Sequence, residues 1–350
     1  MKEKTGQLIR AVTFCLLCFL IFLLIQPLFQ ASNEYSEHAE MMIQGYYDLP
    51  EDSADLLFLG SSHVYRFWQS AFAWKEKGIA SSAWSTSNMP GSCALGITQE
   101  MMKTQSPKVL CVEASMFMQE KEESANKIFL ILPHMRNSRE KKDMILHFCK
   151  RHKIKKNDRL AYFFPFWQFH SRWYELNEGD FRQTQVSYLN SCYQEDFLKK
   201  VRKNLEHYTI EQKKKIGKEN EKQLREYLEY CQSLDCKVVF YFAPCWNCKK
   251  RLKKYNYMSD IIEEYGFTVL NYNDSDLYES VAFDLSGDIQ DRRHANVRGS
   301  YKFTMALSDE LIRRYQLQDH RQEEGYAMWD EQAEGYYKMV MPYLAADRVE

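Results

Sequence analysis

The sequence predicts an α/β fold: a doubly wound sheet of about five parallel strands, with a mainly helical insertion and an N-terminal transmembrane helix. Three observations carry that expectation. Short apolar runs stop at small or turn-forming residues, and a helical pattern or a loop follows each one. The alternation lapses only between about residues 117 and 235, which marks the insertion. The chain has 350 residues, enough for one large α/β domain with an insertion or for two small ones.

The first element is the anchor. Ala11 to Phe29 is almost uninterrupted apolar side chain without a charge, close to the ~20 residues a spanning helix needs. Lys2, Lys4 and Arg10 precede it, whereas Glu34, Glu37 and Glu40 follow. The positive-inside rule then puts the N-terminus in the cytoplasm and the rest of the chain outside. A cleaved signal peptide competes with this reading, but the apolar run is long for one, and no small-x-small site lies near Gln30 and Ala31. Residues 1–30 are thus expected to be an uncleaved anchor, and residues 31–53 a polar stalk.

The strands follow in order. Leu56 to Leu59 reads as a short buried strand running into Gly60, Ser61, Ser62 and His63. Phe67, Trp68, Phe72 and Trp74 then make an aromatic helix face over residues 64–77. Ala83 to Ser87 is a weakly apolar second strand. Pro90 and Gly91 break the loop after it, and a helix spans Ala94 to Lys103. Lys108 to Ser115 is the third strand. In the middle segment, Lys141, Lys142, Lys150, Arg151, Lys153, Lys155, Lys156 and Arg159 form a basic stretch. It reads as a solvated face or as a landing patch for anionic headgroups or a phosphate-rich polymer. Phe163-Phe-Pro-Phe-Trp-Gln-Phe-His170 and Ser171-Arg-Trp-Tyr174 are too densely aromatic to be one helix face. A loop covering the carboxyl edge of the sheet would use them. His170 and Arg172 would then contact an anionic or sugar group, and Trp167 or Trp173 would stack on a sugar.

Residues 208–235 read as a long charged helix returning to the core. Cys236 to Ala243 is the strongest strand, ended by Pro244, and a helix reaches about Tyr265. Phe267 to Tyr272 is the fifth strand. After it come Asp284, Asp288 and the loop Asp291-Arg-Arg-His294, and Val297 to Tyr315 closes the domain, with Asn296 and Gly299 at its start. The tail, 317–350, reads as amphipathic helix that docks on the domain or on a partner.

Charge and cysteine usage narrow the classes. The formal net charge is −1, so no global field recruits nucleic acid. Of the ten cysteines, only Cys245 and Cys248 form a close pair. One C-x-x-C is half of a zinc site, and no second pair completes it. A structural role is expected for the pair, with no metal and no cofactor.

Chemistry concentrates at two places. A strand that ends at Gly-x-Ser before a helix puts a serine at the carboxyl edge of the sheet, where open α/β sheets bind ligands. A serine nucleophile needs a base, and the base needs an orienting carboxylate. Ser62, His294 and Asp291 supply those types, with Asp288 and Asp284 competing for the last role. Oxyanion donors are expected from the backbone N–H groups of Ser62 and Gly91.

The Gly60-Ser-Ser-His63 turn, with Asp291-x-x-His294 before the last helix, resembles the SGNH (GDSL-like) hydrolase superfamily in residues and in order. Gly-Ser-Ser-His in place of Gly-Asp-Ser is similar to its membrane-anchored branch of DltD-like and other cell-envelope O-acetylation proteins. The His170–Trp173 stretch looks like one that recurs in Gram-positive members of that branch. The resemblance covers about residues 54–116 and 236–315. It implies a three-layer, flavodoxin-like core. It also implies an extracytoplasmic acyltransferase or esterase acting on envelope polysaccharide or a teichoic-type polymer, partnered by a multispanning membrane O-acyltransferase. Superfamily members carry an Asn donor after the third strand. Val112 to Ser115 has none, so Asn88 is the expected substitute. His63 starts the helix after the serine, so its ring is expected to point away, at the substrate edge or in a structural role. The alternative reading is a non-catalytic scaffold that binds envelope polymer and the membrane partner.

Overall fold

The computed structural model describes residues 2–29, 33–118, 126–181, 188–192, 195–198 and 205–344. Gln30 and Ala31, where a cleavage site would fall, and residues 345–350 of the tail lie outside them. Among the described residues, five strands form one sheet: β1 Leu56–Gly60, β2 Ser81–Ser85, β3 Val109–Glu113, β4 Lys237–Phe242 and β5 Thr268–Asn271. Every pairing is parallel, and the order is β2-β1-β3-β4-β5. All five expected strands form. β1 is buried along its whole length, as a strand covered on both faces must be, and that is why it reads as a continuous apolar run.

β2 starts two residues earlier than its apolar residues imply. Its serines sit on an edge that another part of the chain closes. The side-chain amide of Asn190 donates to Ser82 Oγ and to the carbonyls of Ala83 and Met42. Trp84 packs against Tyr46 and Tyr47 at ring separations of 5.3 and 5.4 Å. Those tyrosines belong to a helix, Glu34–Tyr47, that replaces the expected stalk. Asn33 caps it by accepting from the N–H groups of Tyr35 and Ser36. Met42, Ile43 and Tyr46 are buried, so the segment is part of the body and not a spacer.

The anchor helix, Lys2–Ile25, is long and apolar enough to cross a membrane. The aromatic segment expected over the catalytic edge wraps the end of this helix instead. Phe22 meets Phe164, Phe166 and Trp167 at 5.4–5.8 Å, and Gln26 Oε1 accepts from the N–H of Phe166 at 3.1 Å. Arg172 donates to the Leu28 carbonyl at 3.0 Å and pairs with Asp180 at 2.5 Å. Carbonyls at a helix end lack partners in their own helix, and a cation satisfies both them and the helix dipole.

The connection between β3 and β4 is built of short turns and two longer helices, Arg139–Arg151 and Lys218–Cys231. The second is shorter than expected, because residues 208–217 carry no regular secondary structure. Part of the basic stretch is structural: Lys141 is buried and donates to the Met135 carbonyl, and Arg151 pairs with Glu219.

The tail docks on the domain. Its helix, Ala327–Leu344, buries Trp329, Ala333, Tyr336 and Val340, a stripe at helical spacing. These pack on the helix Ser70–Lys77, where Phe72 meets Tyr336 at 5.2 Å and Trp74 Nε1 donates to Asp330 at 2.9 Å. His320 pins the connection leading to it. Its Nε2 faces Asp55 Oδ2 at 2.9 Å and its Nδ1 faces Glu323 Oε2 at 2.8 Å. A ring with carboxylates on both nitrogens is held doubly protonated. Burial lowers the His320 pKa, but its bonds to Asp55 and Glu323 outweigh that and raise it above the ordinary value. A raised histidine stabilises the fold at pH values below its unfolded pKa and loses that contribution as pH rises through the folded one. His320→Gln should therefore lower Tm by a few degrees at pH ~6, and the gap to wild type should narrow by pH ~9. A gap that stays constant across that range in thermal melts would exclude this account.

Candidate active site

The order β2-β1-β3 reverses direction between β1 and β3, which places a crevice at the carboxyl ends of the central strands. A cavity of about 510 Å³ lies there. Ser61, Ser62, His63 and Arg66 enter it from the end of β1, and Ser87 and Asn88 from the end of β2. Ser115 follows β3, Lys250, Arg251 and Lys254 follow β4, and Gln290, Asp291, Arg293 and His294 follow β5. Tyr35, near the exit of the anchor, completes one wall.

Ser62 is the first residue of a four-residue helical turn, Ser62–Tyr65. The turn is tight because Gly60 lies against β3. A Cβ at Gly60 would come within 2.6 Å of Glu113 Cβ and 2.7 Å of Val64 Cγ2. The N–H of Ser62, in the first turn, has no acceptor within its own helix.

His294 arrives on a short loop that fastens itself. Asp288 is buried and accepts from Lys302 Nζ and from the N–H of Asp284. Asn296 donates to the Gly287 carbonyl at 2.7 Å, and its oxygen caps the helix Val297–Tyr315 through the N–H groups of Arg298 and Gly299. Gly299 is needed at this point, since a Cβ there would sit 2.2 Å from the Asp288 carbonyl oxygen. Trp246 N–H holds the Arg292 carbonyl at 2.8 Å. Asp284 and Asp288 thus shape the loop, and Asp291 is the carboxylate that reaches the imidazole.

Ser62 Oγ lies 2.9 Å from His294 Nε2, and His294 Nδ1 lies 2.9 Å from Asp291 Oδ2. A carboxylate can only accept, so the ring proton sits on Nδ1. Nε2 is left to accept the serine proton. Burial raises the Asp291 pKa. The hydrogen bond and charge of His294 and the Arg293 N–H outweigh it, holding the carboxylate well below its usual range.

The structure does not assemble every expected residue here. Gly91 lies in a 3-10 turn, Gly91–Cys93, and lines a separate cavity with Leu95, Met144 and Tyr227. Its Cα packs so tightly on Phe117 that a Cβ would sit 2.7 Å from the ring. It gives this cavity no donor. His170, Arg172 and Trp173 are at the anchor, for the reason given above, and none lines the cavity. Asn88 does line it, at a positive φ of 49°. His63 does not point away: it lines the cavity with its ring centroid 5.5 Å from that of His294.

Several groups at the site escaped the sequence reading, Glu113 and Arg251 among them. Glu113 is fully buried beneath the site, and Arg251 lies against Ser115. Glu113 ends the third strand as a charged residue in an otherwise buried run, and that misfit was the available signal. Arg251 is one basic residue among several on a helix, and nothing local distinguishes it.

Comparison of the chain with family models, with curated proteins and with solved structures finds no match, so the site is read from its own geometry. That geometry makes Gly60 indispensable. Gly60→Ala should destabilise the fold by about 1–3 kcal/mol through overpacking. It should also weaken labelling of Ser62 by a fluorophosphonate, measured beside a denaturant melt. A variant as stable and as reactive as wild type would refute the close approach of β1 and β3 at this turn.

Proposed function

We propose that this protein is a membrane-anchored serine acyltransferase or esterase with an SGNH-like, three-layer core into which the β3–β4 connection is inserted. The observation that carries the reading is the hydrogen-bonded series Ser62, His294, Asp291 at the carboxyl edge of a parallel sheet. Ser62 Oγ attacks an acyl carbonyl as its proton passes to His294 Nε2. Asp291 holds the ring's tautomer and offsets the imidazolium charge. His294 then protonates the leaving oxygen, and water or an acceptor hydroxyl releases the acyl group from the serine. The Ser62 N–H and the Asn88 side chain are the donors for the tetrahedral oxyanion, each worth about 2.7–4 kcal/mol of barrier in comparable sites. They do the work that the superfamily gives to an Asn after the third strand, where this chain has Glu113 and Ser115 instead.

The acceptor is an anionic envelope polymer in preference to a neutral one. Arg66, Lys250, Arg251, Lys254 and Arg293 line the cavity, with Asp291 as the carboxylate among them. A cleft lined by one sign of charge concentrates the opposite sign. On this reading the domain lies on the outer face of the membrane with the N-terminus inside, and the cell is Gram-positive, as the resemblance implies. The collar of Phe164, Phe166 and Trp167 around Phe22 suits an interfacial belt. Tyr35, close after the anchor, lines the cavity, so a multispanning O-acyltransferase could pass acyl groups to Ser62 across a short gap. The hydrogen-bonded triad favours this reading over a non-catalytic scaffold.

The test uses the full-length protein in detergent with p-nitrophenyl acetate. Ser62→Ala and His294→Ala should each lower turnover on the order of 10³-fold or more. Equal rates for wild type and Ser62→Ala would end the serine mechanism.

A further inference from the structure

His63 is a cavity residue that this mechanism leaves unused. Its Nδ1 lies 3.4 Å from Glu113 Oε1 and 3.2 Å from Ser115 Oγ. Glu113 also receives the hydroxyls of Ser61 at 3.2 Å and Ser115 at 2.9 Å, and the N–H of Ser115 at 3.2 Å. A carboxylate offers about four acceptor positions, and four donors, His63 among them, fill them. Ser115 has one hydroxyl proton. It gives that proton to Glu113 and accepts from Arg251 Nη2 at 3.0 Å. Both groups facing His63 Nδ1 are therefore acceptors towards it, and Nδ1 carries the ring proton.

Burial pushes the His63 pKa down to about 4, against the opposing pull of Glu113, so the ring is neutral at pH 7. A neutral ring protonated on Nδ1 keeps its lone pair on Nε2, on the side away from Glu113. The cations around it are donors only. A hydroxyl bound among them can accept from a cation, but its own proton needs an acceptor.

We propose that His63 binds the acyl acceptor: its Nε2 takes a hydrogen bond from a second hydroxyl, adjacent to the one that His294 activates. The site thereby selects a vicinal diol, as on a sugar or glycerol-type polyol, over a monohydric alcohol. This rests on the serine acyl-transfer reading above. In the transfer step the attacking hydroxyl oxygen bonds to the acyl carbon and its proton passes to His294 Nε2. The bond from the acyl carbon to Ser62 Oγ breaks, and Oγ regains the proton from His294. The second hydroxyl keeps its proton throughout, held by His63. Glu113 is a positioning residue, since it sets the tautomer without touching the acceptor.

The experiment is a competition. Full-length protein in detergent is acylated by p-nitrophenyl acetate with 1,2-ethanediol and ethanol present together, and the two acetate esters are quantified by mass spectrometry. The ratio per hydroxyl is internal, so it does not depend on how much of a variant is active. Wild type should favour the diol by about tenfold, the worth of one good neutral hydrogen bond. His63→Phe should bring the ratio near one. Glu113→Gln should lower the ratio too. The Gln oxygen stays with the Ser115 N–H, and its amide N–H groups take the Oε2 position. The Ser115 hydroxyl, its acceptor lost, then donates to Nδ1 and drives the ring proton to Nε2. His63→Gln, which keeps an acceptor oxygen, should retain part of the preference. A Ser62-dependent wild-type ratio near one, Ser62-dependent hydrolysis with no ester formed, or a preference unchanged in both His63→Phe and Glu113→Gln overturns this proposal alone. Ester formation that survives Ser62→Ala overturns the serine reading, and this proposal with it.

Discussion

The hydrogen bond from Ser62 to His294 joins residues 232 positions apart, and most of the architecture serves to make those two meet. Neither residue is on a flexible element. Ser62 follows a strand buried on both sides, at a turn so close to β3 that only glycine fits before it. His294 follows a loop whose backbone is tied to Asp288, Trp246 and Asn296. For the proposed acyl transfer, a hydroxyl and an imidazole already held at 2.9 Å would need little reorganisation. That is the usual source of advantage in a preorganised site.

The floor of the cavity carries a cost that the walls do not. Glu113 is wholly buried, and an isolated carboxylate there would be prohibitive. It persists because Ser61, Ser115 and His63 saturate its oxygens, with Arg251 one hydrogen bond further on. Burial raises the Glu113 pKa, yet His63, Ser115 and Arg251 bring it below the ordinary value. Such a network is strong only while complete. It also reaches the turn that carries Ser62, since Ser61 is one of its members. The buried charge and the reactive hydroxyl are therefore mechanically one unit, and a change at Glu113 is felt in the geometry of Ser62.

Strands and the paired motifs were legible in the sequence because their signals are local. Leu56 to Leu59 is apolar because both faces are covered, and Asn296 and Gly299 announce a capped helix with a crowded start. What could not be read depends on partners far along the chain. The serines of β2 look loop-like until Asn190 closes their edge. The helix Glu34–Tyr47 has a mixed composition, and the burial of Met42 and Ile43 with the packing of Tyr46 and Tyr47 on Trp84 makes it part of the body. The aromatics of 163–174 were correctly too dense for one helix face. Their destination was misjudged, because composition says that rings need cover without saying whether a substrate or a helix provides it. Gly91 failed for a related reason: a glycine signals close approach, and here the approaching group is the Phe117 ring.

The relocated aromatic segment changes how the site relates to the membrane. Had it covered the cavity, substrate would enter past a mobile loop, and the anchor would be a tether of indifferent length. Instead Phe22 and Phe29 are gripped by Phe164, Phe166 and Trp167, and Arg172 fastens the end of the anchor by the Leu28 carbonyl. The helix that follows packs directly on β2, and its first turn supplies Tyr35 to the cavity wall. Anchor, collar and cavity thus form one continuous body. With the anchor in a bilayer as proposed, a domain held this way would keep one height and one face towards it. For a reaction proposed to take acyl groups from a membrane partner, that rigidity removes the entropy a flexible stalk would leave to be lost at each encounter.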